Sequence, residues 1–193
     1  MSLLNTINSP SDMLKKLFRE ANEMAFEDDI ERMSDLVANF SITSDSIREW
    51  CVSYQNQLSN KKALVAEWDM IPCLKAAKDI ANSTKHVQIT RYVPTVSGVN
   101  SGVSKTLELY MSHDISKELE EVKSNEVRRG ELERDAPSFN IEFTDGRSIS
   151  LHKFYSDTVR EWLNYFDSNS IPRSPNLKAT LIYMNRSLWP EII

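Results

Sequence analysis

Ile71-Pro72-Cys73-Leu74-Lys75-Ala76-Ala77-Lys78-Asp79-Ile80-Ala81-Asn82-Ser83-Thr84-Lys85-His86-Val87 is the stretch on which the reading of this chain turns. At 100° per residue, Cys73, Leu74, Ala76, Ala77, Ile80, Ala81, Thr84 and Val87 fall on one side of a helical wheel. Lys85, Lys78, Asn82, Lys75, His86 and Asp79 gather opposite them, within an arc of roughly 120°. This segregation predicts an amphipathic helix over about 71–87, started by Pro72. Asp79, Asn82 and His86, at i, i+3 and i+7, stack along one edge of its polar strip. An imidazole that moves a proton, with cations and an amide that hold a phosphate, is the set that phosphodiester cleavage needs. The candidate residues are therefore His86, Lys85, Asn82, Asp79 and Lys78. Set beside this, any surface helix shows a polar face, and the lysines on it are ordinarily solvated.

Helical patterning extends from this stretch to the N-terminus. Ser9-Pro10-Ser11-Asp12 is a helix start, with Ser9 as N-cap, Pro10 in the first turn and Asp12 favourable to the helix dipole. Met13, Leu14, Leu17, Phe18, Ala21 and Ala25 form its apolar face. Ile30, Met33, Leu36 and Val37 mark a second helix over about 29–39. Thr43-Ser44-Asp45-Ser46 offers several N-caps for a third, with Ile47, Trp50, Cys51, Tyr54 and Leu58 as its stripe. Residues 60–68 continue that helix or open a short one.

After Val87 the period changes. Gln88–Val93, β-branched and aromatic, reads as a strand, and Pro94–Ser104, rich in Ser, Asn and Gly, reads as a loop. Leu107, Leu109 and Met111 alternate as a half-buried strand does. The charged segment 114–135 reads as a solvated helix or insertion. Phe139, Ile141 and Phe143, then Asp145-Gly146, then Ile149 and Leu151 make a β-hairpin over 139–151. It leads into a helix over about 152–167 with Tyr155, Val159, Trp162, Leu163 and Phe166 on one side. His152 at its start reads as a capping or surface residue. The tail, 169–193, is irregular, with a short strand or helix at 177–184. Leu188, Trp189, Ile192 and Ile193 form an apolar terminus able to dock on the body or on a partner.

Composition narrows the chemistry. Of 193 residues only 4 are glycine, and none lies before Gly98, so the first half holds no glycine-rich loop to cradle a phosphate. P-loop and dinucleotide-binding readings are excluded. A net charge of −5 differs from the basic balance of a general nucleic-acid binder, though a local basic face remains compatible with it. Cys51 and Cys73 sit within apolar stripes and read as buried thiols of a reducing compartment. His86, His113 and His152 are far apart, and neither cysteine has a partner at metal-ligand spacing, so no metal or other cofactor is expected. No apolar run reaches the ~18 residues of a membrane helix. The expectation is a cytoplasmic protein, with one helical domain over 1–168 followed by the tail.

Asp79-Ile80-Ala81-Asn82-Ser83-Thr84-Lys85-His86 resembles the Asp-Leu-x-Asn-x-x-Lys-His signature of a family of bacterial and phage helical proteins. Ser9-Pro10-Ser11-Asp12-Met13-Leu14, Ile47-Arg48-Glu49-Trp50, Phe143-Thr144-Asp145-Gly146-Arg147 and Val159-Arg160-Glu161-Trp162 agree with it in order, over roughly residues 9–167. Such proteins are in turn similar to the HEPN superfamily of helical bundles, which includes metal-independent RNases of toxin, CRISPR and phage-defence systems. In HEPN nucleases an Arg followed by a polar residue precedes the His. The corresponding pair here is Lys78-Asp79, and Lys offers phosphate a point charge where Arg offers a fork. The resemblance implies a mainly α, HEPN-like helical bundle with a small antiparallel β-element and a C-terminal amphipathic helix. It further implies a homodimer, or binding to a protein partner, and a role as an interaction module of a conflict system without turnover. The alternative it implies is an endoribonuclease acting on RNA, in which His86 handles the proton, Lys78 and Lys85 bind phosphate, and Asp79 and Asn82 position the groups.

Overall fold

Ser9 caps the first helix as the sequence predicts, its Oγ accepting from the Asp12 N–H at 3.2 Å while the Asp12 carboxylate accepts from Ser9 Oγ and the Asn8 N–H. The computed structural model describes residues 6–86, 89–107, 133–174 and 177. Helix α1 spans Pro10–Phe26, α2 Ile30–Tyr54, α3 Lys61–Asp69 and α4 Pro72–Lys85, with a 3-10 turn at Leu58–Asn60 before α3. Strands β1 (Val96–Leu107), β2 (Glu133–Phe143) and β3 (Ser148–Ser150) follow, and α5 (Leu151–Ser168) closes the described structure. The protein is thus mainly helical, with a small antiparallel sheet and a final amphipathic helix.

The core lies where α1, α2, α4 and α5 meet the inner face of β2. Leu14, Leu17 and Phe18 of α1, Phe40 and Ile47 of α2, Leu74 of α4, and Phe154, Trp162 and Phe166 of α5 are buried there with Ile141. Trp162 packs on Trp68, with ring centres 5.7 Å apart, and donates from Nε1 to Ser44 Oγ at 2.9 Å. Cys51 and Cys73 are free and buried, and burial pushes their thiols up to about 12 and about 11.

Four sequence expectations need correction. The chain does not break between 39 and 47, because α2 is continuous through Thr43-Ser44-Asp45-Ser46. These residues serve as contacts instead of caps: Thr43 Oγ1 accepts from Lys16 Nζ, Ser44 holds Trp162, and Ser46 Oγ donates back to the Ile42 carbonyl. Ile30, Tyr54 and Leu58, expected in apolar stripes, are exposed. Residues 89–95 form no strand, because Tyr92 and Thr95 are held on the flank of α4. The Ser/Gly/Asn segment expected as a loop is most of β1, since pairing with β2 overrides its weak local preference. Of the expected 107–111 strand, Leu107 ends β1 and the remainder lies outside the described residues. The same holds for 114–132 of the charged segment and, apart from buried Leu177, for the tail beyond Ser174.

The sheet has the order β1-β2-β3, antiparallel throughout, with Ile141 opposite Val99 on one side and Ile149 on the other. The predicted hairpin is β2–β3, and Gly146 sits in its turn with φ +85°, a conformation that disfavours side chains. Beyond its two chain neighbours, no heavy atom lies within 4 Å of where a Cβ would stand at this glycine, so the cost of substitution there comes from backbone strain. Gly146→Ala is expected to lower the unfolding free energy by about 1 kcal/mol, read from the urea midpoint. Ser150, not His152, caps α5, accepting from the Lys153 N–H at 3.2 Å, while His152 is exposed and its ring lies edge-on to Tyr155.

Candidate functional site

Helix α4 presents its polar strip to a segment of its own chain. Pro72 opens the helix, and His86 closes it as C-cap, with its N–H on the Asn82 carbonyl at 3.0 Å and an extended backbone (φ −135°, ψ 132°). That geometry ends the helix two residues short of Val87. The chain doubles back, so that Tyr92 and Thr95 return alongside residues 75–82.

Asp79 lies at the centre of this return and is only 2% exposed. Its Oδ1 accepts from Lys75 Nζ at 2.5 Å, and its Oδ2 accepts from the Thr95 N–H at 2.6 Å, Thr95 Oγ1 at 2.8 Å and the Val96 N–H at 3.3 Å. Burial by itself would raise this carboxyl's pKa, but the bonds from Lys75 and Thr95 outweigh it and hold the group below its ordinary value. Asn82 donates from Nδ2 to the Tyr92 hydroxyl at 2.8 Å. The Tyr92 ring faces two ammonium groups, Lys75 at 4.0 Å and Lys78 at 5.2 Å from its centre. Burial, reinforced by the negative charges of Asp79 and Asp45, pushes the Tyr92 phenol up to about 12.

Lys78 is drawn away from any incoming phosphate by Asp69, whose Oδ2 it reaches at 2.5 Å. The other oxygen of Asp69 accepts from Arg48 Nη1 at 2.6 Å, and Arg48 Nη2 donates to the Leu74 carbonyl at 2.7 Å. Arg48 is buried over the Trp68 ring, with Asp45 3.5 Å from its Nε. The bonds from Lys78 and Arg48 overcome burial and hold Asp69 below its ordinary pKa, whereas burial prevails at Asp45 and raises it. Three cations (Arg48, Lys75, Lys78) therefore stand among three carboxylates (Asp45, Asp69, Asp79), and the cluster is close to neutral.

Of the residues expected to act together, Lys78, Asp79 and Asn82 meet around Tyr92. Lys85 and His86 stand apart, exposed at the end of α4, and among the described residues no side-chain hydrogen bond holds either of them. The sequence reading missed Arg48, Asp69 and Tyr92 as members of the cluster. Arg48 lies in the Ile47-Arg48-Glu49-Trp50 landmark, but its burial depends on α3 and α4 closing over α2. Among the described residues no three His, Cys, Asp or Glu side chains are grouped to hold a metal ion, and no helix is long and apolar enough to cross a membrane. A cleft of about 280 Å³ lies elsewhere, between Asp12, Tyr54 and Arg173, and shares no residue with the α4 cluster. No protein-family model matches the chain, and neither curated proteins nor solved structures yield a similar one.

Proposed function

We propose that the chain is a HEPN-like helical interaction module of a bacterial or phage defence system, acting in the cytoplasm without turnover. The observation that carries this reading is the engagement of Lys78, Asp79 and Asn82 with Asp69, Thr95 and Tyr92. A general acid–base or phosphate-binding group needs a free face toward its substrate, and these three spend theirs on the protein itself. The near-neutral cluster also lacks the excess positive charge that concentrates a polyanion.

The second reading, a metal-independent endoribonuclease, draws support from Lys85 and His86, a cation and an imidazole side by side and exposed. The two separate in one assay. Purified protein is incubated with tRNA and total RNA in EDTA, alongside folded Lys85→Ala and His86→Ala. No cleavage by the wild type is the expected result. Cleavage that disappears in both variants establishes the nuclease and overturns the module. For the defence role, bacteria expressing the chain are expected to yield fewer plaques on phage challenge, equally with His86→Ala. Plaque counts equal to those of empty-vector cells count against it.

A further inference from the structure

The turn between β2 and β3 holds a covalent weak point. Among all the aspartates and asparagines of the chain, Asp145 is the one followed by glycine. With no side chain in the way, a glycine nitrogen can close on the Cγ of a preceding aspartate. The nitrogen–Cγ bond forms, one carboxyl oxygen leaves as water with the amide proton, and a five-membered succinimide results. Water then opens the ring. Opening at Cγ returns aspartate, whereas opening at the main-chain carbonyl leaves isoaspartate, whose chain runs through Cβ and Cγ.

The turn has room for this ring. Thr144, Asp145, Gly146 and Arg147 are all exposed to water, and the space where a Cβ would stand at Gly146 is open beyond its chain neighbours. Against ring closure stands one residue above all. Arg147 donates its N–H to Asp145 Oδ1 at 3.0 Å and its Nε to Oδ2 at 2.7 Å, with Nη2 also 2.7 Å from Oδ2. Its guanidinium is steadied in turn by the Phe143 ring, 5.3 Å from Cζ to the ring centre. The attacking nitrogen is engaged as well, since the Gly146 N–H donates to the Phe143 carbonyl at 3.0 Å. Ring closure expels one of the two carboxyl oxygens, so a bond to Arg147 is given up whichever leaves. It also proceeds more readily from the uncharged acid, while the N–H and side chain of Arg147 hold Asp145 below its ordinary pKa.

We propose that Asp145-Gly146 is a site of spontaneous conversion to isoaspartate, and that Arg147 is the residue that holds the conversion back in the folded protein. The product carries one extra main-chain atom inside the turn. Turn length sets the register that places Ile149 opposite Ile141, so the altered chain meets β2 with a misfit at β3. This assignment stands independently of the functional reading above.

Peptide mapping by mass spectrometry, with fragmentation that distinguishes isoaspartate from aspartate, tests it on the full chain held for several weeks at neutral pH. The folded wild type is expected to convert at Asp145 about tenfold more slowly than the same chain unfolded in guanidinium chloride, where the turn's hydrogen bonds are gone. Arg147→Ala keeps the main-chain N–H but loses the fork, and is expected to convert about two- to fivefold faster than the folded wild type. Arg147→Lys, which keeps the charge without the fork, falls between them and serves if Arg147→Ala fails to fold. Urea midpoints measured alongside separate local release of the carboxyl from global unfolding. Conversion as fast in the folded wild type as in the unfolded chain, no isoaspartate at 145 in the unfolded chain, or folded Arg147 variants no faster than wild type overturns the proposal.

Discussion

Asp79→Ala is expected to lose about 3–5 kcal/mol of unfolding free energy in urea at neutral pH, the cost of removing one partner from a buried ion pair. The loss is large because several groups are abandoned together. Lys75, 13% exposed at its side chain, keeps its charge without a counter-ion, and the Thr95 N–H and hydroxyl lose their acceptor. The segment that carries Tyr92 is then tied to α4 chiefly through Asn82 and the lysine–ring contacts. The same carboxylate gives the fold a defined acid limit. Its folded pKa lies below the unfolded value, so its contribution is fully present above the ordinary carboxylate range, near 4, and fades as pH falls through the folded pKa. Asp69 and Asp12 are lowered in the same direction and add to that slope. Urea titrations from pH 7 down to about pH 3 should therefore show wild-type stability falling toward that of Asp79→Ala. A constant gap between the two curves over this range counts against the assignment.

Trp162→Ala is expected to cost about 3–5 kcal/mol, measured in the same way. Trp162 is fully buried, and its ring lies against Trp68 at 5.7 Å and Tyr165 at 5.9 Å, so truncation opens a cavity among aromatic rings that cannot collapse toward one another. It also deprives Ser44 Oγ, inside the bundle, of its donor. Trp162→Phe restores much of the volume but not the N–H, and a loss of about 1–2 kcal/mol separates the hydrogen bond from the packing. A full-sized loss in Trp162→Phe would assign most of the effect to the bond.

The helices are legible in the sequence wherever a physical stop signal accompanies the period. Ser9-Pro10 places the first helix start to the residue, because few residues satisfy the orphan N–H groups of a first turn, whereas the cap of α5, Ser150, goes unread beside His152. The hydroxyl residues 43–46 mislead for the same reason: Ser and Thr that cap a helix also serve as polar contacts inside a bundle, and only the neighbouring helices decide which. Strand β1 is illegible because its partner β2 lies some thirty residues further on, and Gly, Ser and Asn pair only when a partner imposes it. The polar strip of α4 is legible as a strip. What covers it is not, since Tyr92 belongs to a run whose β-branched and aromatic residues read equally well as a strand.

The hydroxyls of α2 have a bearing on axial register. Two helices joined only by aliphatic side chains can slip by one turn, 5.4 Å, and still bury much the same surface. Here Thr43 meets Lys16 of α1, and Ser44 meets Trp162 of α5. Each is a single peg in a single hole, and a slipped neighbour would set a polar atom against hydrocarbon at a cost of about 1–3 kcal/mol for each. Helix α2 thus acts as a ruler, graduated by small polar residues, against which α1 and α5 are measured to the turn.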